Sequence, residues 1–229
     1  MSAKIITVFN QKGGCGKTTV CMQLAGAFAH TGYKTLVIDM DPQGTAMRWA
    51  SAAPEEDQFA AALMSLHAMG GKMHREVKNH IDTYDVILVD CPPAMDSAAP
   101  TSAMLVSDLA LIPVVPAPAD IWAAQSAVQL AASASQINEA LKTYVVLNMV
   151  QQQTSLARDM IDALRAMENI SVLKSTLGLR TTFRDCQLYG SSVHKVSRTS
   201  TAFNEVEALK KEISVLLGLP SKKRQNKSS

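Results

Sequence analysis

The feature that most restricts the fold of this 229-residue chain is a glycine-rich loop with two lysines, Lys12-Gly13-Gly14-Cys15-Gly16-Lys17-Thr18-Thr19. An apolar, strand-like stretch (residues 5–9) precedes the loop, and an Ala-rich, helix-like stretch (residues 20–29) follows it. This order is the context of a phosphate-binding loop, because backbone N–H groups turn around the anion and the helix N-terminus attracts it. We therefore expect Lys17 to contact the β- and γ-phosphates of a nucleotide and the Thr18 hydroxyl to ligate Mg²⁺.

Apolar and helical segments alternate along the chain, which predicts a mostly parallel β-sheet with helices on both faces. The six predicted strands are apolar at both alternations, as strands buried on two sides should be, and span residues 4–9, 34–39, 85–90, 109–115, 143–150 and 170–174. Helices are predicted for residues 119–140, 156–167 and 202–217, and residues 54–71 are predicted to form a short helix over the sheet edge. With its phosphate-binding loop, the predicted fold class is α/β, a three-layer P-loop NTPase fold.

Length and composition fit a single domain of residues 1–218, followed by a basic, disordered tail of residues 219–229, because Gly218 and Pro220 end the last helix. No apolar run approaches the roughly 18–20 residues that a membrane span needs, and the first strand begins too early to leave room for a signal peptide. The cysteines form no C-x-x-C pair, which argues against a zinc site or a disulfide framework. We therefore expect a reducing cytosol for these four: Cys15, Cys21, Cys91 and Cys186.

Charge is distributed unevenly along the chain. Residues 1–173 hold 11 Lys and Arg against 16 Asp and Glu, a net charge of −5, whereas residues 174–229 hold 11 against 4, a net charge of +7. Such an asymmetry favours an anionic partner for the C-terminal part. A solvated basic face with a Lys-rich tail is an equally good interpretation, and charge alone does not separate the two.

Carboxylates follow two of the predicted strands. Asp39 and Asp41, in the run Ile38-Asp39-Met40-Asp41-Pro42-Gln43-Gly44, end the second strand, and Asp90 ends the apolar strand Val86-Ile87-Leu88-Val89-Asp90. In open α/β sheets the carboxyl ends of the strands are where ligands bind, and a carboxylate on a rigid strand can reach Mg²⁺. The alternative for the first pair is an ordinary Asp-Pro turn after a strand.

The loop departs from the ordinary phosphate-binding pattern, since Gln11 stands at the first glycine position and Lys12 lies inside the loop. The form K-G-G-x-G-K-T-T resembles the deviant loop of the ParA/MinD group of dimerising ATPases, in particular the small ParA class. The resemblance extends to the D-x-D-P-Q run at Asp39, the D-x-P-P run at Asp90, the proline-rich segment of residues 112–120 and the strand that ends at Asn148.

The resemblance implies ATP as the nucleotide and a role for each matching residue. Asp41 orients or deprotonates the attacking water, and Mg²⁺ is bound by Thr18 and Asp90 with Asp39 close by. Asn148 contacts adenine, although a turn-forming Asn is an alternative, and the loop of residues 179–184 closes over the base. The nucleotide-binding residues are then Lys12, Gly13, Gly14, Cys15, Gly16, Lys17, Thr18, Thr19, Asn148 and Arg180.

Lys12 has a special role in this resemblance. A second lysine beside Lys17 is costly unless an anion neutralises both charges. In the family this lysine reaches the phosphates bound by a partner subunit, which implies an ATP-sandwich homodimer with twofold symmetry. Lys12 would then act like an arginine finger supplied in trans, so that Lys12 and Asp41 are the expected catalytic residues.

The implied function is that of a slow ATPase that binds DNA non-specifically as a dimer, is stimulated by a ParB-like or adaptor protein, and positions a cargo such as a plasmid, a chromosome or a carboxysome. It would reside in the cytoplasm on the nucleoid. Any one basic residue is more often a solvated charge than a DNA contact, so the candidates are proposed as a set: Arg180, Arg184, Lys195, Arg198, Lys210 and Lys211.

Two other classes of protein fit the sequence less well. A MinD-like membrane ATPase needs a terminal amphipathic helix, but no Leu, Ile, Phe or Trp follows Leu219, and no membrane partner is expected. The other class is a metabolic enzyme on the same scaffold. This chain lacks the cluster cysteines that nitrogenase iron protein needs and the C-terminal tyrosine cluster that bacterial tyrosine kinases carry.

Overall fold

A seven-stranded, parallel β-sheet forms the centre of the molecule. The structure, a computed structural model, describes residues 2–93, 97–151 and 155–222. Within them the strand order is β3-β2-β4-β1-β5-β6-β7, and every neighbouring pair is parallel. The strands are β1 Lys4–Val8, β2 Thr35–Asp39, β3 Ala62–Ser65, β4 Val86–Asp90, β5 Leu109–Val114, β6 Lys142–Val150 and β7 Val172–Gly178.

Helices cover both faces of the sheet, which confirms the predicted three-layer α/β class. They are α1 Lys17–His30, α2 Thr45–Ser51, α3 Met73–Val77, α4 Ala99–Met104, α5 Pro118–Ser135, α6 Ser155–Arg165, α7 Thr181–Leu188, α8 Val193–Val196 and α9 Thr201–Leu217. Helices α1, α2, α7, α8 and α9 pack on one face, and α3, α4, α5 and α6 on the other. Within the described ranges, no helix is long and apolar enough to span a bilayer.

The two cores explain why the strands are apolar at both alternations. Successive side chains of a strand point to opposite faces. In β1, Ile6 and Val8 contribute to the core under α1 and α9, whereas Ile5, together with Phe9 just beyond the strand, contributes to the core under α4 and α5. A central parallel strand therefore has no solvent-facing side, and in β1, β2 and β4 the charged residues stand at the strand ends.

The prediction for residues 54–71 was wrong. This segment contains no α-helix; it contains the edge strand β3, flanked by the 3₁₀ turns Glu55–Asp57 and His67–Lys72. The run Ala62-Leu63-Met64-Ser65 is rich in helix-forming residues, but it pairs in parallel with residues 36–39 of β2. Pairing with the sheet edge overrides the intrinsic propensity of so short a segment.

The beginning of the predicted tail is held against the domain. Leu219 donates its backbone N–H to Ser214 (2.9 Å), and the Tyr33 hydroxyl donates a hydrogen bond to the carbonyl of Pro220. Lys222 pairs with Asp85 at 2.6 Å and lies over the Tyr33 ring. Residues 219–222 thus belong with the folded domain, while residues 223–229 of the predicted tail lie outside the described residues.

Candidate nucleotide-binding site

Three neighbouring strands bring the glycine-rich loop and the predicted carboxylates to one edge of the sheet. Strand β4 lies between β1 and β2, and the register places Asp90 opposite both Val8 and Asp39. Since the three strands are parallel, the loop after β1, the turn after β2 and the end of β4 all emerge at the carboxyl edge. This is the edge at which α/β sheets bind ligands.

The loop turns through two glycines with left-handed backbone conformations. Gly14 has φ +78° and Gly16 has φ +83°, a region that residues with a Cβ rarely adopt. Gly16 is also the N-cap of α1, and a Cβ there would overlap the amide of Asn148 and lie 3.2 Å from Met149 Cε. Close packing therefore requires glycine at position 16. The loop ends where α1 begins, as a phosphate-binding loop should.

The two loop lysines are both held by groups of this chain. Lys17 is buried, and its Nζ donates to the backbone carbonyl of Lys12 at 2.9 Å. The Nζ of Lys12 pairs instead with Asp120, in the first turn of α5, at 2.7 Å. The Cys15 thiol is buried and contacts the same Lys12 carbonyl, and burial raises its pKa, so it is a structural rather than a reactive thiol.

Asp90 is a buried carboxylate that forms no hydrogen bond of normal geometry with any residue that the structure describes. Its exposed fraction is 1%, and neither of its oxygens accepts a hydrogen bond within normal geometry. Burial raises the pKa of Asp90 to about 7; the nearby Thr18 hydroxyl and Lys17 oppose this rise, while Asp39 and Asp41 add to it. Such a group is stabilised by a cation.

The surroundings of Asp90 fit Mg²⁺ better than a metal held by protein alone. Mg²⁺ is usually bound through one or two protein oxygens, with phosphate and water completing its shell. Thr18 and Asp90 can supply those oxygens. In the part of the chain that the structure describes, no group of three His, Cys, Asp or Glu could hold a metal ion without such help.

Asp39 and Asp41 hold the turn that follows β2. The carboxylate of Asp39 is buried and accepts the backbone N–H groups of Asp41 (3.0 Å) and Met47 (3.1 Å). Burial raises the pKa of Asp39, and these two N–H groups oppose the rise. With both oxygens engaged, Asp39 fixes the turn and the start of α2. Asp41, half-buried at the edge of the site, accepts the N–H of Gln43 at 2.8 Å.

Asn148 lies against the loop rather than in a turn. It is buried in β6, and its amide donates to the carbonyl of Cys15 at 2.8 Å. The next residue, Met149, has φ +54°, which is uncommon for a residue other than glycine. The predicted contact between Asn148 and adenine stays a prediction; the observed role of the side chain is to hold the loop.

The expected loop at residues 179–184 is mostly helical, because α7 begins at Thr181 and Arg180 is its N-cap. Arg180 donates to Glu205 at 2.6 Å, and this partner raises the pKa of the guanidinium. Its placement at the carboxyl end of β7 is compatible with a site near the nucleotide. The predicted contact with the base is not tested.

Sequence reasoning missed two residues that fasten the loop. The amide of Asn10 donates to the carbonyl of Pro113 at 2.8 Å, while its oxygen accepts the N–H of Lys12 at 3.0 Å. Asp120, whose side chain is 7% exposed, holds the Lys12 ammonium. In the sequence, Asn10 is a polar residue directly before the loop, and Asp120 is an acidic residue after a proline-rich segment. Neither position indicates which residue its side chain contacts.

The six candidate DNA-binding residues do not form one patch. Four of them are engaged: Arg180 with Glu205, Lys195 with Asp57, Arg198 with the carbonyl of His194, and Lys210 with Glu207. Arg180 lies at the carboxyl edge of the sheet, whereas Lys195 lies near the end of α1 at the opposite edge. Within residues 2–93, 97–151 and 155–222, only Arg184 and Lys211 of the six have no side-chain partner.

The fold and the loop together define a nucleotide-binding protein of the P-loop class. The family model of the CobQ/CobB/MinD/ParA nucleotide-binding domain matches residues 6–193, and the chain belongs to this family. It is 31% identical over 210 residues to maintenance of carboxysome distribution protein A of Halothiobacillus neapolitanus, covering 91% of this chain and 95% of that protein.

Two further comparisons agree with this assignment. The sporulation initiation inhibitor protein Soj of Bacillus subtilis is 24% identical over 231 residues, covering 83% of this chain and 90% of that protein. An ATP complex of a McdA variant from Cyanothece superposes with a TM-score of 0.73 at 15% identity, covering 96% of this chain and 98% of that chain. The predicted ParA/MinD-type ATPase family is thereby confirmed.

Proposed function

We propose that this chain is a ParA-type ATPase that dimerises on ATP and Mg²⁺, binds DNA non-specifically, and hydrolyses ATP slowly until a partner protein stimulates it. The observation that carries the proposal is the buried, unpartnered carboxylate of Asp90 beside a phosphate-binding loop. A protein that bound no cation there would leave a charged group buried without compensation. ATP is the expected nucleotide because the family matches and a solved structure of the same fold holds it.

Each residue of the site has a distinct part in the proposed reaction. Lys17 and the backbone N–H groups of the loop bind the β- and γ-phosphates, as in other P-loop proteins. Thr18 and Asp90 hold Mg²⁺, which when bound neutralises charge on the phosphates. Asp41 orients the attacking water, and Asp39 fixes the turn that carries Asp41. The water attacks the γ-phosphorus and gives up a proton to Asp41 or to solvent. The bond between that phosphorus and the oxygen bridging to the β-phosphate breaks, which gives ADP and phosphate.

Lys12 supplies charge stabilisation across a twofold dimer in this proposal. We expect Lys12→Gln to retain part of the ATP binding but to lose hydrolysis, since the loop can still bind phosphate while the transition state lacks the lysine from the partner. Steady-state phosphate release measures this. A variant that turns over ATP at the parent rate would refute the role in trans.

Asp41→Ala should give a dimer that forms with ATP and does not turn over, because the water is no longer oriented. Sedimentation velocity in ATP and Mg²⁺ measures the dimer. A variant that sediments only as a monomer would contradict the assignment.

DNA binding is proposed from the family and from the basic C-terminal part of the chain. Arg184 on α7 and Lys211 on α9 are exposed cations on the same face of the sheet, which makes them the best candidates for phosphate contacts. We expect Arg184→Ala with Lys211→Ala to weaken DNA binding and to lower the slope of log K against log salt by about 2 per protomer. Arg75→Ala with Lys78→Ala, an equal change of charge at α3 on the other face, is the matched control. Equal effects of the two double variants would remove this surface from the proposal.

The cargo is proposed from the relatives' names and from the family resemblance. One relative is named a maintenance of carboxysome distribution protein and another a chromosome partitioning protein, so a carboxysome or a chromosome is the proposed class of cargo. A plasmid is the third candidate, which the resemblance implies. A ParB-like or adaptor protein would link the ATPase to it, and the protein would act in the cytoplasm on the nucleoid. A MinD-like membrane role is the second candidate.

The experiment that tests the proposal is retention of the protein on unrelated duplex DNA with no nucleotide, ADP, ATP or a slowly hydrolysed ATP analogue. Anionic liposomes and the Lys12→Gln variant run in parallel. DNA retention only with ATP or the analogue, falling with salt, supports the proposal. Retention on liposomes instead supports the membrane role, and retention on neither surface refutes both.

A further inference from the structure

Among the residues that the structure describes, the carboxylate of Asp120 has one partner, Lys12. The side chain of Asp120 is 7% exposed and lies 2.7 Å from the Lys12 Nζ, whose side chain is 39% exposed. In the part of the chain that the structure describes, this carboxylate makes no other hydrogen bond. A buried carboxylate with a single cationic partner is strongly affected when the partner leaves, because the remaining charge is neither solvated nor paired.

Within the described ranges, the ion pair is one of two side-chain connections between the loop and the junction of β5 and α5. The other is Asn10, which accepts the backbone N–H of Lys12 and donates to the carbonyl of Pro113. The two connections direct the Lys12 side chain to a group of its own subunit. The proposed reach to phosphate in a second subunit requires the same ammonium, so it cannot be made while Asp120 holds Lys12.

The Asp120 carboxylate also offsets repulsion between the positive charges of the loop. Lys12 and Lys17 belong to the same loop, and the Lys17 ammonium contacts the Lys12 backbone carbonyl. Two cations in one loop repel each other unless an anion lies nearby, and Asp120 supplies the negative charge. Bound phosphate supplies the same compensation, and more of it, so that the nucleotide weakens the need for Asp120.

We infer that Asp120 is a latch: it holds Lys12 inside its own subunit in the nucleotide-free monomer, and the latch must open before the ATP dimer can form. Asp120 is therefore a positioning residue that opposes dimerisation and sets the protein concentration at which it occurs. The inference rests on the proposed function, because it concerns the lysine that acts across the dimer.

The expected effect of Asp120→Asn on dimerisation follows from the number of Lys12–Asp120 pairs, one in each subunit. Asp120→Asn keeps the shape of the side chain and removes its charge, so Lys12 is released at little cost in packing. A partly exposed ion pair opposes opening by a factor of roughly 5 to 10. Two latches open in each dimer, so we expect the dimer dissociation constant to fall by about 25- to 100-fold.

Sedimentation velocity with ATP and Mg²⁺, in the Asp41→Ala background that suppresses turnover, measures that constant. Asp108→Asn is the matched control, since Lys4 and Asp108 form a Lys–Asp pair of 2.6 Å with a similarly exposed lysine at the start of β1, away from the loop. A tighter dimer with Asp120→Asn alone supports the latch. Equal constants for the two variants, or a weaker dimer with Asp120→Asn, overturn it. A background protein that never dimerises refutes the proposed dimer.

Acylation of Lys12 in the nucleotide-free monomer tests the latch without a dimer. The reagent must displace Asp120 to reach the Nζ, so Asp120→Asn should raise the rate at Lys12 several-fold while the rate at Lys17 stays unchanged, as measured by peptide mass spectrometry. An unchanged rate at Lys12 overturns the latch, whatever sedimentation shows. If the acylation rate at Lys12 rises but the Asp41→Ala protein stays monomeric, the contact between Lys12 and Asp120 is supported and the proposed dimer is refuted.

Discussion

Asp90 should destabilise the protein whenever no cation is bound, and Asp90→Asn removes that effect. Burial raises the pKa of Asp90 from 3.8 to about 7. Between these two pH values the native protein holds a proton that the unfolded chain has released. Stability therefore falls as pH rises from about 4 to about 7, and stays low at higher pH.

The size of the effect follows from the shift. A difference of about 3 pKa units corresponds to about 4 kcal/mol, which is the largest stability that ionisation of Asp90 can remove. The amide of the Asp90→Asn variant is neutral, but burying it without a partner costs about 1–3 kcal/mol. We expect the variant to be more stable than the parent by about 1–3 kcal/mol at pH 8, a rise in Tm of about 3–10 °C.

Thermal unfolding of the nucleotide-free protein at pH 5, 6.5 and 8 tests this expectation. The gain of Asp90→Asn should grow with pH, because the parent carboxylate is neutral at pH 5 and charged at pH 8. ATP with Mg²⁺ should raise the Tm of the parent more than that of the variant, since the variant lacks the anionic oxygen that holds the ion.

Asp85→Asn is the matched control, since Asp85 directly precedes the same strand at its other end. Burial raises the pKa of Asp85, but Lys222 and the backbone N–H of Lys34 outweigh it, and the net shift is downward. Its removal should therefore cost stability. A pH-independent difference between Asp90→Asn and the parent, or a lower Tm at pH 8, would refute the argument that Asp90 is buried without compensation.

Two other changes have clear expected outcomes. Gly16→Ala should abolish ATP binding measured by calorimetry, because the position has φ +83° and the methyl group would overlap the Asn148 amide; normal affinity would contradict the loop geometry. The hydrogen bond with His194, assisted by Lys210, lowers the pKa of Glu207 to about 2, so the stability it contributes is present above about pH 4.5 and is lost as pH falls through about 2. Urea unfolding at pH 5 and pH 2.5 should show a smaller loss for Glu207→Gln than for the parent, and equal losses would exclude this pair as a source of acid sensitivity.

The sequence predicted the central strands because their chemistry is unambiguous. A strand such as β4 is apolar at every position and ends in a carboxylate, and burial on both faces leaves no other explanation for that pattern. Strand β3 was missed because it is a short edge strand with little burial, and its residues favour helix as much as strand. The structure of β3 is determined by pairing with β2, a strand that lies elsewhere in the sequence, so the residues of β3 alone do not predict it.

The features of the site also fall into two groups, those that the sequence could predict and those that it could not. The loop, Asp39 and Asp90 could be predicted because each follows a strand and their order along the chain sets their place at one edge. The partners of Lys12 and Asn148 could not, because they depend on which side chains meet across 108 and 133 residues of sequence. The net charge of the C-terminal part is a count from the sequence, but four of the six candidate cations are paired with nearby carboxylates or carbonyls, which composition does not reveal.

The unfavourable features of this structure are concentrated where the nucleotide would bind. Asp90 is buried without a partner, Met149 has a left-handed backbone, and Lys17 is a buried cation whose described contacts are a backbone carbonyl and a thiol. Departures from the rules of packing and charge pairing persist in proteins when function requires them and the rest of the fold supplies the stability. A phosphate chain with a divalent cation would relieve two of the three, because it places negative charge at Lys17 and positive charge at Asp90. Binding energy released at these two groups can then be used to open the contact between Lys12 and Asp120, which links occupancy of the loop to the exposure of its second lysine.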